Sequence, residues 1–197
     1  MSFILGLTGS IGMGKSTTAQ FFRDAGVPVW DADAAVHRIY AKGGAAVEPI
    51  SKICPDATAI GKVDRDALKE WIARDDTALA QLEKIVHPLV AADRADFISA
   101  NTDAPLIVLD IPLLFETGSA ANMDGVLVVS VDAGEQRRRV LARETMTEEM
   151  FASILARQTP DAEKRARADF VIETYDLDST RADVMKLIER LTREHHA

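Results

Sequence analysis

The chain has 197 residues, 47% of them hydrophobic and 27% charged, which is enough to bury one sizeable core but short for two full domains. Its 31 acidic residues outnumber the 23 basic ones and give a net charge of -8, which argues against a nucleic-acid partner because phosphate-backbone binding needs a basic surface. Its single cysteine, Cys54, excludes an internal disulfide, and no apolar run reaches the roughly 18 residues of a membrane span, so we expect a cytoplasmic protein without a membrane partner.

The first apolar run, Phe3–Leu7, predicts a buried β-strand, and the residues after it match a phosphate-binding pattern. Gly9 to Ser16 fit G-x-x-x-x-G-K-[ST] in full and are followed by a helical pattern at Ser16–Ala25. The glycines let several backbone N–H groups surround phosphate oxygens, and the helix N-terminus adds a partial positive charge. A glycine-rich turn without a ligand is the alternative, but the full match favours a nucleoside triphosphate site. The predicted nucleotide-binding residues are Gly9, Gly12, Met13, Gly14, Lys15, Ser16 and Thr17.

The second apolar run, Val27–Trp30, predicts another strand, after which about seventy residues carry only helical patterns. A gap of this length is far longer than a simple crossover between strands, so we expect a helical insertion over about 33–102 that contributes ligand contacts. Its predicted helices are Asp33–Tyr40, Arg65–Ala73, Thr77–Val86 and Pro88–Ala100.

The third apolar run, Leu106–Leu109, ends in a carboxylate, Asp110. Together with the hydroxyl of Ser16, this carboxylate predicts a magnesium site, because Mg²⁺ keeps much of its water and takes few protein ligands. An aspartate at a strand end also commonly caps a turn or a helix. The phosphate loop favours the functional interpretation over that alternative.

An arginine-rich segment follows the fourth apolar run, Val126–Val131. The predicted helix Glu135–Arg143 places Arg139 and Arg143 four residues apart and therefore on one face. Arginines in this arrangement suit a kinase lid that closes over a transferring phosphoryl group and excludes water. A solvated charged helix explains the pattern equally well. A guanine-reading Asn-Lys-x-Asp tetrapeptide does not occur, which argues against a GTPase.

Two further elements complete the predicted fold, namely a last strand at Phe170–Ile172 and helices at Glu148–Gln158 and Thr180–Glu194. The strand runs lack clean alternation, which is typical of strands covered on both faces of a parallel sheet. We therefore predict one α/β domain of the P-loop type, with a five-stranded parallel sheet flanked by helices. Its core would comprise about 1–32, 103–134 and 168–197, and its lid about 135–167.

These motifs closely resemble those of the dephospho-CoA kinase family, nearly from end to end. Glu173-Thr174-Tyr175 departs from the family's acidic residue, Asn and Gly, so Thr174 replaces an asparagine near the expected base site. Lid positions of the family pattern match at Gln136, Arg139, Arg143 and Gln158. The other segments that carry the resemblance are Gly6–Ser16, Asp31–Asp33 with His37, Gly61–Arg65 with Leu68, Leu82–Pro88, Asp110–Glu116 and Ala168–Ile172.

The resemblance implies transfer of the γ-phosphoryl group of ATP, with Mg²⁺, to the ribose 3′-hydroxyl of dephospho-CoA, giving CoA and ADP. Asp33 would orient that hydroxyl and accept its proton, although it also suits an N-cap of the following helix. The other implied catalytic residues are Lys15, Arg139 and Arg143. The insertion would hold dephospho-CoA, and within it His87 would cap or precede a helix begun by Pro88.

Two alternatives remain open at the level of sequence. The chain could be another small P-loop nucleotide or metabolite kinase, with the same ATP site and a different acceptor. It could also be a nucleotide-dependent switch that transfers nothing, although the arginine lid counts against this. We expect a monomer or a weak homo-oligomer in either case.

Overall fold

The computed structural model describes residues 2–194 and contains one parallel sheet of five strands, which confirms the predicted α/β class. Along the sheet the strands follow the order β2-β3-β1-β4-β5. Their bounds are β1 Phe3–Thr8, β2 Val29–Asp31, β3 Leu106–Asp110, β4 Gly125–Ser130 and β5 Phe170–Glu173.

The central strands are buried on both faces, which explains their uninterrupted apolar sequences. Strand β1 pairs with β3 on one side and with β4 on the other, so Leu5 lies opposite both Val108 and Gly125. In the same register Leu7 lies opposite Asp110. The carboxyl ends of β1 and β3 therefore meet at one edge of the sheet, and Asp110 lies beside the start of the phosphate loop.

Helices follow the strands and fill the long interval between β2 and β3. Short 3-10 turns occur at Pro55–Thr58 and Ser119–Asn122. The described helices are α1 Lys15–Asp24, α2 Ala32–Tyr40, α3 Val47–Ser51, α4 Arg65–Arg74, α5 Ala78–Ser99, α6 Ala133–Leu141, α7 Glu148–Leu155, α8 Asp161–Ala166 and α9 Leu177–Glu194. None of the helices in the described part of the chain is long and apolar enough to cross a membrane.

The chain divides into two compact units. The first comprises the described residues up to Trp30 and from Asn101 onward, and its core joins the sheet to α1 and α9 through side chains such as Leu5, Phe22 and Leu191. The second unit, Asp31–Ala100, has a core of its own that includes Ile50 and Leu82. Each unit therefore has its own apolar interior.

The prediction of two helices at Thr77–Val86 and Pro88–Ala100 is wrong, because Pro88 lies inside the single helix α5. A proline removes one backbone hydrogen bond and disfavours a helix interior. Here apolar side chains from both halves, Leu82 and Leu89 among them, join the same core, and this packing outweighs the local preference. No helix begins at Pro88, so the capping role predicted for His87 is also wrong; His87 is an exposed residue within α5.

Helix α2 begins one residue earlier than predicted, at Ala32, and its N-cap is Asp31. The Asp31 carboxylate accepts a hydrogen bond of 2.9 Å from the backbone N–H of Ala34. The alternative in which Asp33 caps this helix is therefore wrong, because Asp33 lies inside the first turn. Its side chain is exposed there, where a carboxylate interacts favourably with the helix dipole.

Candidate nucleotide-binding site

The phosphate loop connects β1 to α1 and depends on glycine at two positions. Gly12 and Gly14 have φ angles of 81° and 85°, in the left-handed region that other residues rarely adopt. Space is restricted as well, since a Cβ atom would lie 2.5 Å from Val140 Cγ2 at Gly12 and 2.8 Å from Thr174 Oγ1 at Gly14. Gly14 is also the N-cap of α1, so the unpaired N–H groups of the first helical turn begin at the loop.

A cavity of about 470 Å³ opens beside this loop, and all the residues that line it belong to the first unit. Predicted site residues among its lining are Gly12, Met13, Gly14, Lys15, Ser16, Thr17, Arg139 and Arg143. Residues of the β5–α9 segment complete it, namely Thr174, Tyr175, Asp176, Leu177 and Thr180, together with Ser10. The structure therefore brings the loop and the lid arginines to one cavity.

Two of the predicted loop residues contact the sheet. Gly9 does not line the cavity but lies against β4, where a Cβ atom would come within 2.6 Å of Val129 Cγ2. The Met13 side chain is buried, and its sulfur accepts a hydrogen bond of 3.2 Å from the Val131 N–H. The loop is thus fixed against the end of β4 by a close approach and by a sulfur contact.

Lys15 and Asp110 form a short ion pair, with 2.5 Å between Nζ and Oδ1. The Asp110 side chain is only 3% exposed, so the lysine charge compensates a buried carboxylate at the end of β3. Ser16 lies in the first turn of α1, is exposed, and makes no side-chain hydrogen bond with the part of the chain that the structure describes. Its hydroxyl is therefore available to a ligand.

The donor set at this point fits a magnesium ion that arrives with a nucleotide. Among residues 2–194 there is no cluster of three or more carboxylate, histidine or cysteine side chains that could hold a metal by itself. Mg²⁺ is commonly bound by one or two protein oxygens, with water and substrate phosphates supplying the others. The Ser16 hydroxyl, which lines the cavity, and the Asp110 carboxylate, which does not line it but contacts Lys15, are oxygens of this kind.

Arg139 is fixed in the cavity wall by hydrogen bonds from its guanidinium group. Its Nη2 donates to the backbone oxygens of Thr174 and Tyr175 at 2.6 and 3.2 Å, and its Nη1 donates to Thr174 Oγ1 at 3.2 Å. Its Nε donates to Glu135 at 2.6 Å. The Thr174 hydroxyl in turn donates to the backbone oxygen of Met13 at 2.8 Å. Thr174 therefore connects Arg139 in the cavity wall to the phosphate loop. The sequence showed only that threonine replaces the family's asparagine at this position and did not predict this role.

Arg143 lies beyond the end of α6, which stops at Leu141 rather than continuing to Arg143 as predicted. Its side chain is exposed and lines the cavity. Its guanidinium group forms no hydrogen bond or ion pair with residues 2–194. Arg139 and Arg143 thus share a cavity but differ in their surroundings, since the protein already binds four of the five N–H donors of Arg139. The catalytic role of Arg139 remains a prediction.

The remaining arginines of α6 are paired at the surface, as the alternative of a solvated charged helix predicts. Arg137 pairs with Glu148, and Arg138 pairs with Glu135 at 2.6 Å. Hydrogen bonds from Arg138 and then Arg139 lower the pKa of Glu135 from 4.5 to about 2. The carboxylate of Glu135 therefore stays ionised and holds both arginines at neutral pH.

Two glutamines hold the backbone of the phosphate loop from the predicted lid. Gln136 Nε2 donates to the Ile11 carbonyl at 2.8 Å, and the Ile11 N–H donates to Gln158 Oε1 at 3.1 Å. Sequence reasoning placed both glutamines on a family pattern but assigned them no role. Asp33 belongs to the second unit, and its catalytic role remains a prediction.

Comparison with known proteins identifies similar chains of nearly the same length. A family model described as CoaE, dephospho-CoA kinase, matches residues 3–178. A relative named dephospho-CoA kinase from Jannaschia sp. is 62% identical over 192 residues, which cover 98% of this chain and 98% of that protein. A relative of the same name from Cereibacter sphaeroides is 60% identical, with 96% and 95% covered.

Solved structures give the same result at the level of the fold. TT1252 from Thermus thermophilus superposes with a TM-score of 0.84 and 35% identity, over 96% of this chain and 97% of that one. Dephospho-CoA kinase from Campylobacter jejuni has a TM-score of 0.73 and 26% identity, over 98% and 99% of the two chains. The similarity therefore extends over both units rather than over the phosphate loop alone.

Proposed function

The chain belongs to the dephospho-CoA kinase family, and from this premise we propose that it transfers the γ-phosphoryl group of ATP to the ribose 3′-hydroxyl of dephospho-CoA. The products are CoA and ADP. The observation that carries the proposal is the cavity beside the phosphate loop, where Lys15, Ser16 and Arg143 converge in a chain that matches the family over residues 3–178.

The phosphates of ATP bind along the loop and the start of α1. Gly12 and Gly14 allow the backbone to turn around them, and the unpaired N–H groups of the first turn of α1 donate to their oxygens. Lys15 supplies a positive charge at the β- and γ-phosphates. Because its ammonium already forms an ion pair with Asp110, the positive charge of Lys15 is held at the loop before the nucleotide binds.

Magnesium, held by the Ser16 hydroxyl and the Asp110 carboxylate, would neutralise charge on the bound phosphates. Arg143 then contacts the transferring phosphoryl group. Its guanidinium has no competing partner among residues 2–194, so binding a phosphate oxygen breaks no existing bond of that side chain. Arg139 stays in the cavity wall, where its hydrogen bonds to Glu135, Thr174 and Tyr175 maintain the shape of the cavity.

Asp33 acts as the base that orients the acceptor hydroxyl and takes its proton. Asp31 and Asp33 supply the carboxylates of the family's Asp-Ala-Asp motif, and Asp31 is engaged as the N-cap of α2. The Asp33 side chain is exposed and forms no hydrogen bond with residues 2–194, so it remains available to a substrate. A carboxylate suffices as the base when the transition state is loose and proton transfer is late.

Asp33→Asn tests this assignment. We expect kcat to fall by about a hundredfold, because the amide cannot accept the proton, with ATP affinity within about twofold of wild type. Steady-state kinetics and a titration with ATP separate the two effects. Near-normal turnover in this variant would remove Asp33 as the base.

The proposed compartment is the cytoplasm, and the protein is proposed to act there as a monomer or a weak homo-oligomer. Cys54 is a buried free thiol, which suits a reducing environment.

An acceptor panel tests the proposed function itself. ADP release is measured with dephospho-CoA, nucleoside monophosphates, gluconate and shikimate, with Lys15→Ala as the inactive control. We expect transfer to dephospho-CoA only. Transfer to another acceptor instead would support the other small P-loop kinases, and ATP binding without transfer to any of them would support the nucleotide-dependent switch.

A further inference from the structure

Glu116 lies outside the cavity but contacts a segment that reaches the phosphate loop. Its Oε1 accepts a hydrogen bond of 2.7 Å from the Thr159 N–H, and the Lys164 ammonium lies 3.0 Å from the same oxygen. The Lys164 side chain is fully buried, and that of Glu116 is 16% exposed. Burial raises the pKa of Glu116, but the Thr159 N–H, the Lys164 ammonium and the backbone N–H of Glu116 itself together outweigh it, so the pKa lies below its ordinary value.

Thr159 is the neighbour of Gln158, whose side chain holds the phosphate loop. Gln158 Oε1 accepts the Ile11 N–H at 3.1 Å, while Gln136 holds the Ile11 carbonyl from α6. The connector between α7 and α8, residues 156–160, thus carries two adjacent bonds. The Thr159 N–H donates to Glu116, and the neighbouring Gln158 side chain accepts the Ile11 N–H of the loop.

Helix α8 contacts the segment after β3 through Arg167 and the end of β4 through Asp161. The Arg167 guanidinium lies 4.5 Å from the centre of the Phe115 ring, next to Glu116 in sequence. At the start of α8, Asp161 Oδ2 accepts a hydrogen bond of 2.6 Å from Ser130 Oγ at the end of β4. The segment that follows β3 therefore holds the connector directly and also holds the helix into which the connector leads.

We propose that Glu116 is a positioning residue for nucleotide binding. It fixes the connector 156–160 so that Gln158 holds the Ile11 peptide, and through that peptide it sets the affinity of the loop for ATP. The inference rests on the proposed function in one respect, namely that this loop binds ATP. It also gives the two carboxylates of the Asp110–Glu116 motif separate tasks, one at Lys15 and one at the connector.

Single substitutions of Glu116 do not test this cleanly. Removing one partner of a buried ion pair leaves the other charge uncompensated, so unfolding would obscure any effect on binding. Two double variants avoid the problem because both remove the whole ion pair. In Glu116→Gln/Lys164→Met an amide oxygen can still accept the Thr159 N–H, whereas in Glu116→Ala/Lys164→Met no acceptor remains.

The measurement is the dissociation constant for ATP, together with the KM values for ATP and dephospho-CoA and the Tm. We expect the Ala/Met variant to bind ATP about tenfold more weakly and the Gln/Met variant to stay within about threefold of wild type. The KM for dephospho-CoA should stay within about twofold in both variants. Glu163→Ala is the matched control on α8, because Glu163 is exposed and pairs only with Arg167 among residues 2–194. It should leave ATP affinity unchanged.

Coupling to Gln158 distinguishes positioning from a general structural role. Gln158→Ala should weaken ATP binding by about tenfold in the wild-type background and by less than about twofold in the Ala/Met background. Equal ATP affinity of the two double variants, or fully additive effects with Gln158→Ala, would overturn the inference. Failure of the proposed function differs from both results, since it would appear as wild-type protein that binds ATP without phosphorylating dephospho-CoA.

Discussion

Two groups of residues line the nucleotide cavity, and they differ in how the protein uses their polar groups. Those of the loop, Gly12 to Thr17, offer backbone N–H groups from an uncapped helical turn and a Ser16 hydroxyl that no side chain of residues 2–194 engages. Those of the wall, Arg139, Thr174 and Tyr175, use their donors and acceptors on one another and on the loop. The loop is therefore arranged to contact a ligand, and the wall is arranged to hold the loop. Substitutions in the first group should change chemistry, and those in the second should change binding and stability.

The largest effect is expected at Lys15. Lys15→Ala should lower kcat by about a thousandfold, because it removes the fixed charge on the phosphates. It should also lower the Tm, because it removes the lysine charge that compensates the buried Asp110 carboxylate. Steady-state kinetics and thermal unfolding report the two effects separately. In Lys15→Ala/Asp110→Asn the Tm should recover, because the uncompensated carboxylate is gone. A near-normal kcat in Lys15→Ala itself would show that Lys15 acts only as a structural partner.

Arg143 should follow, with a loss confined to catalysis. Arg143→Ala is expected to lower kcat by about a hundredfold, since a guanidinium on the transferring phosphoryl group stabilises the transition state. The Tm should not change, because the side chain has no hydrogen-bond or ion-pair partner among residues 2–194. Arg138→Ala is the matched control, as this exposed arginine pairs with Glu135 outside the cavity lining. An unchanged rate in Arg143→Ala would remove it from the catalytic residues.

Thr174 tests the wall. Thr174→Val keeps the shape of the side chain but removes the hydroxyl that donates to Met13 and accepts from Arg139. We expect the KM for ATP to rise about fivefold with kcat nearly unchanged, because the loop and the wall lose their connection. Thr174→Ser should restore the KM. A fall in kcat alone would mean that the wall takes part in the transfer step.

The smallest effect is expected from substitution of Glu135, which should change how the stability of the protein depends on pH. Its pKa is about 2 in the folded protein against 4.5 ordinarily, so the folded state binds the proton more weakly than the unfolded state. The stabilisation is therefore complete above about pH 4.5 and is lost as the pH falls toward 2. Wild type should exceed Glu135→Gln in Tm by no more than a few degrees at pH 7, and the difference should shrink below pH 4.5. A difference independent of pH would contradict the proposed ion pairs.

The features that sequence predicted well depend on local geometry. Strand β3 needs only a run of apolar residues, and the turns at Gly12 and Gly14 need only residues that tolerate a positive φ. The loop motif contains its own helix start, so its position followed from neighbouring residues. The order of the strands in the sheet was not predicted, because no local sequence pattern determines it.

The features that sequence missed depend on pairs far apart in the chain. Ile11 and Gln158 are 147 residues apart, and Thr174 is 161 residues from Met13, so neither contact produces a periodic pattern. The predicted helix start at Pro88 was wrong for a related reason, because packing in the core of the second unit stabilises α5 as one helix that continues through Pro88. The role of Asp33 as the catalytic base remains a prediction. It is supported by the Asp-Ala-Asp motif and by a side chain that is exposed and forms no hydrogen bond with residues 2–194.

The central claim is transfer to one particular hydroxyl, and ³¹P NMR of the product tests it most directly. Wild-type protein with ATP, Mg²⁺ and dephospho-CoA should give a new 3′-phosphomonoester signal in amounts equal to the ADP released, and Lys15→Ala should give almost none. Release of ADP with only inorganic phosphate, or a monoester at another position of dephospho-CoA, would contradict the account.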